Sequence, residues 1–106
     1  MNPEEMKTLL ESVPGFAGKV AWFEWPIGEA PALPFICYFT VSENNFAADN
    51  INYYSRPVYA VELYSKNRDF ATEGLLEQTL SAAGLYYSKD AEYLEDELCW
   101  VTVFTV

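Results

Sequence analysis

The stretch "APALPFICYFTV", residues 30–41, decides the reading of the fold. Two prolines lead into an unbroken aromatic and aliphatic run. Proline has no N–H to give to a strand ladder, and it pushes the residue before it toward extended backbone. The run "FICYFTV" (35–41) therefore reads as a core strand. The piece before it, "PIGEAPALP" (26–34), carries three prolines and one glycine and reads as a stiff, extended surface connector.

Working outward, "KVAWFEW" (19–25) is strand-like by its aromatic and β-branched content, and "VYAVELY" (58–64) is a third strand with Pro57 at its entry. "LYYSK" (85–89) and "LCWVTVFTV" (98–106) are two further strands, joined by the acidic stretch "DAEYLEDE" (90–97). Near the start, Asn2 suits a helix cap, Pro3 the first helical position and Glu5 a capping box. Met6, Leu9, Leu10 and Val13 then recur at helical spacing, and Pro14-Gly15 ends the helix. Asp69 caps a second helix with Leu76, Thr79, Leu80 and Ala83 on one face and Gly84 as its stop. "SENNFAADN" (42–50) is turn chemistry within a long loop, 42–55. The order predicts one α+β domain over 1–106: a mostly antiparallel sheet of four to five strands with two helices packed on one face. Phe35, Tyr38, Val61, Leu63, Leu76, Leu80, Val101 and Val103 are expected to share one core.

A sheet covered on one face should alternate apolar with polar residues, and the last strand does not. Leu98, Trp100, Phe104 and Val106 fall on one parity, and Cys99, Val101 and Val103 on the other. Either the second face lies under the Pro-rich connector and the loop before Val58, or part of it packs against another subunit.

Eighteen aromatic residues (Phe 7, Tyr 8, Trp 3) are too many for a disordered chain. Sixteen acidic against six basic residues give a net charge of −10, which argues against sequence-specific nucleic-acid binding through phosphate contacts. "MNPEEMKTLL" opens acidic, unlike a signal peptide, and no apolar run is long enough for a membrane span. Cys37 and Cys99 read as buried reduced thiols, with a structural disulfide as the alternative. Histidine is absent, no metal or nucleotide motif occurs, and Glu92, Glu95, Asp96 and Glu97 lie in one polar run of the solvated kind. No catalytic residue, cofactor or metal site is expected.

The layout resembles the tail terminator (tail completion) family encoded by Gram-positive siphophages and prophages. The resemblance spans nearly the whole chain. It rests on the N-terminal helix, "PALPFICYF", "NNFAADN", "VYAVELYSKNRD", "YYSKDAEYLEDE" and the hydrophobic last strand. It implies a non-enzymatic α+β subunit that forms a ring, typically six-membered, on the finished tail tube. The ring stops tube growth and presents the head-joining surface. The implied partners are further copies of the chain, the major tail tube protein and a head completion protein, in the host cytoplasm during assembly and then in the virion tail. The residues themselves offer a candidate subunit interface: Phe46, Asp49, Tyr53 and Tyr54 of the 42–55 loop, with Pro31 and Leu33 of the lead-in, which lies either on its own sheet or on a neighbour. The alternative function is a small acidic nucleic-acid mimic that fills a basic cleft of a host protein, although its acids are scattered rather than displayed along one face. A carboxylate-dependent enzyme is the least supported reading.

Overall fold

Residues 23–34 carry the chain back between two strands that run in the same direction. The computed structural model describes residues 1–46 and 54–106, with side chains described outside 42–56. Its elements are α1 (Pro3–Glu11), β1 (Val20–Trp22), β2 (Phe35–Phe46), β3 (Tyr54–Ser65), α2 (Phe70–Ala82), β4 (Ser88–Leu94) and β5 (Cys99–Thr105). β1 and β2 are parallel, in the register Val20↔Ile36, Ala21↔Cys37 and Trp22↔Tyr38. A parallel neighbour cannot be reached by a tight turn and needs a crossover of about a dozen residues, usually a helix. Pro26, Pro31 and Pro34 rule out a helix here, so the crossover is an irregular strap. It is not extended throughout as expected, because the Glu29 N–H donates to the Pro26 carbonyl (2.9 Å) in a turn with Gly28 at φ 81°. β1 ends at Trp22 rather than at Trp25, because Phe23 takes left-handed backbone (φ 65°).

The remaining pairings are antiparallel and give the strand order β1-β2-β3-β5-β4. The protein is thus α+β, with a five-stranded mixed sheet that is mostly antiparallel. Both helix starts form as the sequence predicts. Asn2 Oδ1 accepts from the Glu5 N–H (2.8 Å) while Glu5 Oε1 accepts from the Asn2 N–H (2.9 Å), closing the capping box. The Asp69 carboxylate accepts from the Thr72 N–H (3.1 Å) and hydroxyl (2.6 Å), and Gly84 (φ 77°) lies just beyond the end of α2.

Cross-strand register sorts the sheet into two sets of side chains. Ile36, Tyr38, Tyr59, Val61, Leu63 and Phe104 form one buried cluster with Met6 and Leu10 of α1 and Leu76 and Leu80 of α2. Phe35, Cys37, Ala60, Glu62, Tyr64, Val101 and Val103 occupy the opposite parity, through the pairs Phe35↔Tyr64, Cys37↔Glu62, Tyr64↔Val101 and Glu62↔Val103. The expected single core therefore divides. Tyr38, Val61, Leu63, Leu76 and Leu80 belong to the helix-side cluster, whereas Phe35, Val101 and Val103 face away from it. On α2, Ala83 is exposed and Thr79 half-buried; the third buried position is Glu73.

Two expected loops are partly strand. Residues 42–46 and 54–58 continue the β2–β3 ladder, from Ser42↔Val58 to Phe46↔Tyr54, past a bulge between Thr40 and Ser42. β1 reaches no further than Tyr38 along β2, and β5 no further than Ala60 along β3 apart from a Val106–Tyr59 bridge. Among the described residues, the ladder beyond them is therefore a two-stranded arm. It makes the molecule long, 48 × 28 × 23 Å, with a radius of gyration of 14.9 Å, against about 13 Å for a globular chain of this length. The acidic stretch after Ser88 is likewise not a connector: Ser88–Leu94 pairs with β5 as an edge strand, exposed on both sides except at Leu94. Charged side chains at Lys89, Asp90 and Glu92 suit an edge that must not pair with other chains.

The first and last residues meet at the foot of the arm. Tyr59 exchanges backbone hydrogen bonds with Val106 (3.1 and 2.9 Å), and its hydroxyl donates to the Met1 carbonyl (2.9 Å).

Candidate functional site

The strap and the second face of the sheet enclose a groove of about 410 Å³. The strap lines it with Phe23, Glu24, Trp25, Ala30 and Leu33, and the sheet with Phe35, Cys37 and Tyr64. Glu97, in the turn between β4 and β5, and Cys99 complete it. The aromatic rings are in contact: Trp25 meets Phe35 edge-on (centroids 6.1 Å) and Phe35 stacks on Tyr64 (5.2 Å). The position of the strap follows from the parallel β1–β2 pair, which obliges residues 23–34 to return along the sheet. The second face is thus covered at this end by the chain itself. Toward β5 and β4 it stays more open, with Val103 half-buried.

The groove is electronegative. Burial, then Glu62 and Glu24, push the Cys37 thiol up to about 11, and burial with Glu97 raises that of Cys99. Burial and the neighbouring Glu62, to which Tyr64 Oη donates (3.0 Å), raise the Tyr64 phenol strongly. Thiols in such a field are poor nucleophiles. Cys37 and Cys99 are both free and buried. They lie on strands separated by β3 and offset by four residues, about 16 Å apart at standard strand spacings, too far for a disulfide.

The sequence-derived interface candidates fall at opposite ends of β2. Phe46 and Tyr54 are register partners in the last described rung of the arm. Pro31 is half-buried in the strap and Leu33, 36% exposed, lines the groove. Asp49 and Tyr53 lie outside the described residues. From Phe35 to Phe46 the strand spans roughly 36 Å, so these residues lie at two separate places along the sheet rather than together.

One polar cluster was not anticipated. Glu73, fully buried on α2, accepts from Arg68 Nε (3.0 Å), Lys89 Nζ (2.9 Å) and Thr102 Oγ1 (3.1 Å). Burial pushes its carboxyl up, but hydrogen bonds from Arg68, Lys89 and Thr102 outweigh that and hold it below the ordinary range. The Arg68 guanidinium also lies over the rings of Phe70 (4.5 Å) and Trp100 (5.4 Å). The signal available in the sequence was the spacing 73, 76, 80, which puts Glu73 on the Leu76–Leu80 stripe. Every acceptor here is engaged with a fixed cation or hydroxyl, so the cluster is a tie between α2, β4 and β5.

Among the described residues, no three His, Cys, Asp or Glu side chains converge as a metal set, and no helix is long and apolar enough to cross a membrane. No family model, curated protein or solved structure matches this chain.

Proposed function

We propose that the chain is a structural subunit of phage tail assembly, a terminator that closes the tail tube as an oligomeric ring and offers the surface for head joining. The observation that carries the reading is the arm. A two-stranded ribbon without a third strand or a covering layer is marginal in water and gains stability by packing on something else. Here the ribbon leaves the sheet beyond Thr40, at one end of a molecule whose other end carries the strap with Pro31 and Leu33. Different adhesive surfaces at opposite ends suit head-to-tail association, which closes into a ring when the rotation between subunits allows it. The resemblance in sequence layout supplies the particular assembly: tail tube below, head completion protein above.

The test is genetic and structural together. A phage lacking this gene should make tails of irregular length that fail to join heads. Phe46→Ser with Tyr54→Ser should leave the subunit folded and abolish joining. Tails of normal length joined to heads in either background would refute the proposal.

A further inference from the structure

The groove between strap and sheet has the makings of a cation site without a cation. Inside the chain, one guanidinium is already held in such a setting: Arg68 lies over Phe70 and Trp100 and forms an ion pair with Glu73 at 3.0 Å. The groove repeats both elements, aromatic rings in Trp25, Phe35 and Tyr64, and carboxylates in Glu24 and Glu97. No Lys or Arg is among the residues lining it. Its volume of about 410 Å³ is in the range of ligand pockets, roughly 300–1,000 Å³. Burial is the main cause of the upward displacement of the Cys37, Tyr64 and Cys99 groups, and the smaller contributions of Glu62, Glu24 and Glu97 act in the same direction, as expected beside carboxylates.

A second observation narrows the occupant. Trp25 Nε1 is buried and has no acceptor among the described residues. A buried donor left unpaired is costly, and a simple ammonium ion brings no acceptor. A peptide brings a carbonyl with every residue.

We propose that the groove binds an extended, basic segment of another protein, seating an Arg or Lys side chain between the aromatic wall and Glu24 and Glu97 while a backbone carbonyl of the segment accepts from Trp25 Nε1. Arginine fits best, because its planar guanidinium can stack on a ring and bridge carboxylates at once. The chain itself is a poor donor of that cation. It has six basic residues against sixteen acidic ones, and Arg68 and Lys89 are already engaged with Glu73. Charge complementarity therefore points to a different, basic partner rather than to a second copy. The groove's chemistry is independent of which assembly supplies the segment, so the proposal stands apart from the tail-terminator reading.

The experiment follows the indole N–H signals of the isotopically labelled full chain during titration with acetyl-Leu-Arg-Leu-amide. Acetyl-Leu-Glu-Leu-amide and tetramethylammonium serve as comparisons. The arginine peptide should shift the Trp25 indole signal saturably, leave those of Trp22 and Trp100 in place, and bind better than either comparison. Glu24→Gln with Glu97→Gln should weaken it by about tenfold or more, with the rest of the spectrum showing the fold retained. Binding of the acidic peptide with equal strength, or undiminished binding in the double variant, would overturn the proposal. Equal affinity for tetramethylammonium would reduce the groove to a bare cation cage and overturn the peptide assignment. A silent Trp25 signal with the arginine peptide would overturn the whole.

Discussion

Thr102 of β5 donates its hydroxyl to Glu73 of α2 at 3.1 Å, inside the helix-side core and with both residues fully buried. The carboxylate is therefore desolvated, and it is tolerable only because Arg68 and Lys89 reach in from the surface to neutralise it. The three groups are not equivalent. Glu73→Ala should destabilise the protein by about 3 kcal/mol, the lower end for breaking a buried pair, since both cations are partly exposed and can swing out to water. Lys89→Met should cost at most about 1 kcal/mol, as for an outer ion pair. Urea unfolding of the two variants measures the difference, and equal effects would contradict this hierarchy.

One buried carboxyl, Glu73, and one half-buried carboxyl, Glu62, should drive acid stability in opposite directions. Glu73 is held below its ordinary range, so the stability it contributes is fully present above the unfolded value and is lost as pH falls through the native one. Burial raises Glu62 on the opposite face, with the Tyr64 hydrogen bond only partly offsetting it. Its ionisation is therefore a cost that appears as pH rises through the raised native value. Glu62→Gln keeps an acceptor for Tyr64 and should raise the thermal midpoint at neutral pH. That gain should vanish once pH drops below the ordinary carboxyl range. A neutral-pH midpoint that is unchanged or lowered would show that water reaches Glu62 freely.

Cys37 and Cys99 should resist alkylation in the native protein. Moving a thiol from 9.0 to about 11 lowers its thiolate fraction about 100-fold at neutral pH, before burial is counted. Iodoacetamide should label both thiols readily in urea and only slowly without it. Fast native labelling of Cys37 would mean that the strap lifts from the sheet.

Assembly should respond to salt in a characteristic sense. Each copy carries −10, and exposed like charges repel beyond contact range until screened over about 8 Å at physiological ionic strength. Self-association measured by sedimentation should strengthen as salt rises. Weakening would indicate contacts between copies made by paired charges.

How much of this was legible in the sequence depended on how locally each feature is determined. Asn2 with Glu5, Asp69 with Thr72, and Gly84 act within a few residues, and both helices form where those signals place them. The strap was legible as non-helical, since its prolines bar a helix, but it turns at Pro26–Glu29 rather than staying extended, and the parallel pairing that explains it depends on Val20 meeting Ile36 from a distance. The ends of β2 and β3 were misread because Asn44, Asn45 and Ser55 are turn formers by local chemistry, and only the ladder makes them strand. β4 was misplaced for a related reason: an edge strand exposed on both sides shows no alternation to read. Glu73 was passed over because a charged residue is ordinarily assigned to the solvent side, and its partners come from outside α2, Lys89 and Thr102 from different strands.

The meeting of Met1 and Val106 at Tyr59 has a practical side. Any polypeptide attached to either residue emerges beside the point where the ribbon leaves the sheet. Two fluorophores placed at the two ends would sit within a few residues' reach of each other and would transfer energy efficiently as long as Tyr59 keeps both in place. A bulky fusion at either end would crowd whatever approaches the ribbon's base.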